Sequence, residues 1–143
     1  MTDATEASET VLNDRGELML TIDGQPYGLR PSYDAIESIE AMLGRGLVDI
    51  ASDAINSRLK LGELAQVATE CIKTWGRANG RPDTANFNAK RVARLIIDAD
   101  GGLLTAMRKV SQLLTLAVTG GYDSEGNPKP AVTTTSEEAP AAG

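Results

Sequence analysis

An Asp-Gly pair at residues 23 and 24 lies between two short segments rich in strand-forming residues. A type I′ turn needs positive φ at both central positions, and Asp and Gly adopt that conformation most readily. We therefore predict a β-hairpin over residues 16–30, whose register is fixed by the two-residue turn. The predicted pairs are Ile22 with Gln25, Thr21 with Pro26, Leu20 with Tyr27, Leu18 with Leu29, and Glu17 with Arg30.

This register gives the hairpin one apolar face. Alternate residues of a strand point to opposite faces. The apolar face contains Leu18, Leu20, Tyr27 and Leu29. Glu17 and Arg30 form an opposite-charge pair on the other face. A two-stranded ribbon is marginally stable in water, so we expect the helices that follow to cover the apolar face.

Five segments after the hairpin show the spacing of amphipathic helices. Ser32 is placed to cap the first, and Gly44 and Gly46 stop it. The predicted helices cover residues 32–43, 47–58, 63–78, 86 or 88 to 100, and 103–119, with a loop at 79–86. Met42 and Ile55 are among the positions predicted to face inward. The fold class is therefore α+β and mostly α-helical, with an N-terminal hairpin packed on about five helices in one domain over residues 15–120.

The net charge of −6 is concentrated in the two ends of the chain. Residues 1–14 carry four acids and no base, and residues 121–143 carry four acids against Lys129. The remainder has 12 acids and 13 bases. Both ends are rich in Ala, Thr, Ser and Pro and contain too little apolar surface to offset chain ordering. We predict that residues 1–14 and 121–143 are disordered acidic tails.

The sequence offers no catalytic, metal or cofactor site. It has no His and one Cys, which excludes a disulfide within the chain and the common zinc sites. Cys71 is predicted to be a buried apolar side chain. Three carboxylates on the first helix, those of Asp34, Glu37 and Glu40, are interpreted as a solvated face. Acidic segments at residues 98–101 and 123–127 lack the closing Glu of a calcium loop. Because the sequence shows no catalytic group, we expect a protein that is not an enzyme.

The sequence also contains no feature of a membrane protein. No run approaches the roughly 20 apolar residues of a membrane-spanning helix. The segment MTDATEASET has neither the basic nor the apolar region of a signal peptide. We expect a cytoplasmic protein.

Charge is unevenly distributed within the predicted domain. Between residues 73 and 94 there are six bases against Asp83, and between residues 34 and 53 there are five acids against Arg45. A basic patch can bind a nucleic acid backbone, but the charge of the predicted domain is close to balance, with 12 acids and 13 bases. We do not expect nucleic acid binding. Attraction of an acidic protein partner and simple solubility remain open.

The last predicted helix has more apolar residues than one stripe requires. Leu103, Met107, Val110, Leu114 and Ala117 form a seam with alternating steps of four and three. Leu104, Leu113 and Leu116 lie outside that seam. Either a neighbouring helix or a partner protein covers them. These three leucines are the candidate partner-binding residues.

The segment GELMLTIDGQPYGLRPSYDAIESIEAMLGRGL resembles the start of the small tail assembly chaperones of long-tailed phages and phage-derived gene transfer agents. The matching features are Leu29-Arg30 at the end of the second strand, Ile39-Glu40 within the helix, and the exit Gly44-Arg45-Gly46-Leu47. The later segment LGELAQVATECIKTWGRANG and the final Gly120-Gly121 are also similar. The resemblance covers about residues 15–121.

The resemblance implies a non-enzymatic assembly factor without a cofactor. Such chaperones bind the tape-measure protein, help recruit tail-tube subunits, and need not remain in the finished particle. The last helix is then the candidate docking surface. Alternatives are a structural component of the tail or head–tail junction and a small nucleic-acid-binding regulator. The sequence leaves three points open: whether the protein forms a homo-oligomer, whether a longer frameshifted form exists, and whether its origin is a phage, a prophage or a gene transfer agent.

Overall fold

A computed structural model describes residues 16–129 of the chain. Its strands and α-helices are β1 Met19–Ile22, β2 Gln25–Gly28, α1 Tyr33–Leu43, α2 Leu47–Ile55, α3 Leu61–Ala78, α4 Ala89–Asp98 and α5 Gly102–Val118. A short 3₁₀ helix, Pro82–Asn86, occupies the segment predicted as a loop. A hairpin followed by five α-helices confirms the predicted α+β, mostly helical fold class.

The hairpin has the predicted register. Asp23 and Gly24 have φ values of +54° and +68°, the left-handed conformation that a type I′ turn requires. Leu20 pairs with Tyr27, and Thr21 pairs with Pro26. Just outside the strands, the Leu29 N–H donates to the Leu18 carbonyl at 3.0 Å. The turn chemistry of two residues therefore set the pairing of the whole hairpin.

The ends of the helices follow local chemistry. The Ser32 hydroxyl accepts a hydrogen bond from the Ala35 N–H at 3.1 Å, which caps α1. Gly44 ends this helix with a φ of +69°. The second helix, α2, ends at Ile55, three residues before the predicted end, because Ser57 adopts a positive φ that a helix cannot contain.

Helix α3 is the centre of the core. It packs against α1, α4, α5, β2 and the 3₁₀ helix. The side chains predicted to face inward on α3 are all buried: Leu64, Val67, Ala68, Cys71, Ile72 and Trp75. Burial raises the pKa of the Cys71 thiol, as expected for an apolar rather than a reactive cysteine.

The chain after α5 folds back onto the hairpin–α1 junction. The Tyr33 N–H donates to the Ser124 carbonyl at 2.8 Å. The Asp123 carboxylate accepts from the Glu125 and Asn127 N–H groups, each at 2.9 Å, and these bonds lower its pKa. The predicted tail boundary at residue 121 is therefore too early, since residues 121–129 belong to the folded unit. The other predicted tail residues, 1–14 and 130–143, lie outside the described residues.

The predicted Glu17–Arg30 pair forms, but it is buried. Their side chains meet at 3.3 Å, and Glu17 is only 1% exposed. Arg30 also donates to the Glu125 carbonyl at 3.5 Å, so the chain after α5 covers the pair. The sequence pattern had placed these residues on the uncovered face of the hairpin. The difference arises because residues 121–129 cover that face.

Replacing Arg30 with Met should lower the free energy of unfolding by about 2 kcal/mol. The buried Glu17 carboxylate loses this cation, and the loss is smaller than for a fully buried pair because Arg30 keeps some solvent contact. Urea denaturation measures the change. Lys90→Met, at an exposed position, is the control and should stay within about 0.5 kcal/mol. Equal losses for both variants would contradict a stabilising role for the pair.

Candidate partner-binding surface

The described residues contain no group of three or more His, Cys, Asp or Glu side chains that could hold a metal ion. They do contain several large apolar side chains that are exposed to solvent. These are Tyr33, Met42, Val48, Ile55, Ile97, Leu103, Leu104 and Leu116. Exposed apolar groups of this kind are candidate contacts for another protein.

The three leucines predicted to bind a partner do not lie together. Leu104 is 58% exposed and Leu116 is 38% exposed, but Leu113 is 0% exposed and belongs to the core. Leu113 follows Ala106 and Val110 by seven and three residues, so it lies on their buried side of α5. Leu113 is therefore not available on the surface of this fold.

Leu104 and Leu116 are also separate from each other. Twelve helical residues span about 18 Å and place these side chains about 120° apart around the axis. Arg108 and Gln112 occupy the row between them. Gly121 packs against the Leu116 side chain and partly covers it. The two leucines therefore do not form one apolar patch, and Leu104 is the more accessible of the two.

Helices α1 and α2 carry a second group of exposed apolar residues. Tyr33, Met42, Val48 and Ile55 are between 55% and 71% exposed. Val48 and Ile55 are seven residues apart and lie on the same side of α2. The sequence had predicted Met42 and Ile55 to face inward, and that prediction is wrong. Neither side chain is part of the core, although the neighbouring Leu43 and Ala54 in the same last turns pack there.

The same two helices are acidic. Asp34 and Glu37 are exposed, and neither forms an ion pair within residues 16–129. The Glu40 carboxylate accepts the Leu47 N–H at 2.8 Å and thereby caps the start of α2. Together, α1 and α2 present exposed carboxylates beside exposed apolar side chains.

Arg45 fixes the connection between α1 and α2. Its guanidinium contacts Asp49 at 3.0 Å, Asp53 at 2.7 Å and Glu63 at 3.3 Å. The hydrogen bond with Asp53 is the main reason that the pKa of Arg45 is raised. Because Glu63 belongs to α3, this network ties α2 to the central helix.

Part of the predicted basic cluster covers aromatic side chains instead of facing free solvent. Arg81 lies 5.3 Å from the Tyr27 ring centre and 5.4 Å from that of Trp75, and it pairs with Asp83 at 3.1 Å. This pairing lowers the pKa of Asp83. Arg91 lies 5.0 Å from the Phe87 ring centre. Cation–π contacts of this kind stabilise the aromatic corner.

A cleft of about 740 Å³ separates the hairpin tip from the α4–α5 turn. Side chains of both charges line it, including those of Asp23, Asp98, Arg108 and Lys109. The Lys109 ammonium donates to the Met19 carbonyl at 3.0 Å, and partial burial lowers its pKa. This lysine covers the outer edge of β1, a common protection against strand pairing with another chain.

The hairpin, the five helices and the exposed apolar groups define a small α+β domain with surfaces suited to protein contacts. Residues 15–120 match the model of the family described as "Phage tail tube protein, GTA-gp10", and the chain belongs to this family. Comparison with curated proteins and with solved structures gave no match. The predicted relation to the tails of phages and gene transfer agents is therefore confirmed at the level of the family. Within the described residues, no helix is long and apolar enough to span a membrane.

Proposed function

We propose that this protein is a non-enzymatic structural component of the tail of a phage or gene transfer agent. The observation that carries this proposal is the family match, which extends over the hairpin and all five helices. A structural component requires contacts with neighbouring tail proteins. The exposed apolar groups on α1, α2 and α5 are suited to that role.

Quantitative mass spectrometry of purified particles tests this proposal. The protein should be present at a constant ratio to the other tail proteins in independent preparations, and a high-salt wash should not remove it. A contaminant would vary between preparations. Detection in the cell lysate but not in purified particles would contradict a structural role.

The second candidate is a tail assembly chaperone that acts in the host cytoplasm. It would bind the tape-measure protein, help recruit tail-tube subunits, and be absent from the finished particle. One feature favours this role: the sheet in residues 16–129 has two strands of four residues each. That is too little sheet to close a β-walled tube by itself. Exposed apolar residues on helices suit a helical partner instead.

Co-expression with the tape-measure protein tests the chaperone role. If the chaperone role is correct, the tape-measure protein should become soluble only in the presence of this chain, and the two should co-elute. Leu104→Glu should weaken that complex because it places a charge on an exposed apolar contact. Arg108→Glu, also exposed and one turn along α5, is a control for added negative charge. A tape-measure protein that aggregates equally with and without the chain would exclude this role.

A further inference from the structure

We infer that residues 9–12 of this chain form a third strand, which pairs antiparallel with the outer edge of β1 and occupies the cleft beside it. The segment reads Glu9-Thr10-Val11-Leu12. This inference goes beyond the proposed role in the tail and does not depend on it. For these four residues it replaces the prediction of a disordered tail.

The outer edge of β1 is open in the described part of the chain. Within residues 16–129 the sheet has two strands, so β1 is paired on one side only. The hydrogen bond from the Leu29 N–H to the Leu18 carbonyl shows which backbone groups face β2, because such groups alternate along an antiparallel strand. The backbone groups of Met19 and Thr21 therefore point away from β2. An extended segment can add to such an edge through main-chain hydrogen bonds.

The cleft beside the hairpin tip lies along this edge. Its volume is about 740 Å³, and it is bounded by Leu20, Thr21 and Ile22 of β1 on one side and by Thr105, Arg108 and Lys109 of α5 on the other. The Lys109 ammonium already donates to the Met19 carbonyl at 3.0 Å. A carbonyl oxygen has two lone pairs, so this bond leaves room for a second donor. The edge can therefore accept a strand at the usual spacing of about 4.8 Å.

The residues just before β1 carry a turn signal of their own. In Asn13-Asp14-Arg15-Gly16, Asn is first and Gly is fourth, which is the preference of a type I turn. In a hairpin with a three-residue loop, a type I turn is followed by a residue in the left-handed conformation. Gly16 has that conformation, with a φ of +80°. The chain therefore enters β1 from a residue that suits a reversal of direction.

This turn also specifies a register. It pairs Asn13 with Glu17, Leu12 with Leu18, Val11 with Met19, Thr10 with Leu20, and Glu9 with Thr21. Val11 and Glu9 would then exchange hydrogen bonds with the two β1 residues whose backbone groups point outward. Leu12 falls on the face of the hairpin that carries the buried Leu18 and Leu20. A third strand in this register satisfies the open edge and extends the apolar face.

The competing occupants are residues 130–143 and a second copy of the chain. Residues 130–143 contain a β-branched run, Val132–Thr135. Since Pro128 lies beside Gly16, that run would enter at the start of β1 and lie parallel to it, and parallel pairing is less stable per residue. A second copy would have to pay the entropy of association, which a local hairpin avoids. With its edge covered by residues 9–12, β1 is closed to outside strands, and contacts with other proteins fall to the helices.

Amide hydrogen exchange, measured by NMR on the full-length protein, tests the inference. In the proposed register the N–H groups of Glu9 and Val11 point to β1, and those of Thr10 and Leu12 point away from it. The first two amides should therefore exchange at least about tenfold more slowly than the other two. This alternation separates a paired strand from a segment that is merely compact.

A matched pair of proline variants locates the strand on β1. Val11→Pro removes the N–H that would donate to the Met19 carbonyl, so exchange of the Thr21 amide should become about tenfold faster. Thr10→Pro is the control, because a proline whose missing N–H faces away from the sheet is tolerated on an edge strand; the Thr21 amide should stay within about twofold of its wild-type rate. The Leu20 amide, which faces β2, is the internal reference for folding and should remain protected in both variants.

Four results would overturn the inference. They are uniform exchange over residues 9–12, equal loss of protection in the two proline variants, protection of residues 132–135 in place of 9–12, and strand contacts that occur only between copies. Nuclear Overhauser contacts in a mixture of two differently labelled samples distinguish the last case. None of these outcomes bears on particle composition, so the third strand and the tail role stand or fall separately.

Discussion

Replacing Leu113 with Ala is expected to lower the free energy of unfolding by about 3 kcal/mol. Leu113 is among the largest fully buried side chains in the described part of the chain, and its removal leaves a cavity on the side of α5 that carries Ala106 and Val110. The same change at Leu104 should alter stability by no more than about 0.5 kcal/mol, because that side chain is exposed. Urea denaturation of both variants measures the difference.

The Leu113 and Leu104 variants also separate core from partner surface. Leu113→Ala should affect partner binding only through lost stability, so its effect should disappear at low temperature, where the folded fraction is restored. Leu104→Ala leaves folding intact and acts on binding directly. A Leu113→Ala variant as stable as the wild-type protein would show that this side chain is not part of the core.

Replacing Gly28 with Ala should cost about 3 kcal/mol of stability. A methyl group at this position would overlap the Trp75 indole at Cδ1 and Nε1. Trp75 has little room to move, because its ring lies edge-on to Tyr27, with centres 6.2 Å apart, and Arg81 covers it. The hairpin would have to shift away from α3. Thermal and urea denaturation measure the loss.

The double variant Gly28→Ala with Trp75→Leu tests this explanation. Leu removes the indole atoms that the new methyl group meets, so the double variant should lose less stability than the sum of the two single changes. Gly62→Ala is the control. An added Cβ at Gly62 meets no atom within 4 Å, and Ala favours a helix, so this variant should be more stable by about 0.5 kcal/mol. Additive losses in the double variant would rule out the overlap as the cause.

Elements set by local chemistry were predictable from the sequence. The Asp23-Gly24 turn fixes a register by itself, and Ser32 and Gly44 fix the two ends of α1. The buried side of α3 was also predictable, because its apolar residues repeat at helical spacing over five turns. None of these features depends on how distant elements pack.

Features that depend on tertiary packing could not be predicted in the same way. The predicted apolar seam from Leu103 to Ala117 did not include Leu113. Including Ala106 in the apolar pattern would have shifted the predicted buried side of α5 toward Leu113. The helical period alone does not show which apolar residues of α1 are covered by neighbouring elements. Met42 was therefore predicted to face inward, although it is exposed.

From the sequence, residues 121–129 were predicted to be part of a disordered acidic tail. The contact that orders them, from Tyr33 to Ser124, joins positions far apart in the sequence. The same explanation applies to Arg81, whose stacking on Trp75 depends on the fold and not on local spacing.

The candidate binding site was only partly visible in the sequence. The acidic character of residues 34–53 was apparent from composition, but the exposure of Val48 and Ile55 required the structure. Leu104, for which the sequence left open cover by a neighbouring helix or by a partner, is exposed.

Locating the protein in intact particles tests the proposed structural role most directly. An epitope tag appended after Gly143 can be detected by immunogold electron microscopy on purified particles. A structural component should place gold on the tail of most particles, with none on particles from the untagged strain. Gold confined to unassembled material, with bare tails on otherwise complete particles, would contradict the structural role and favour the chaperone.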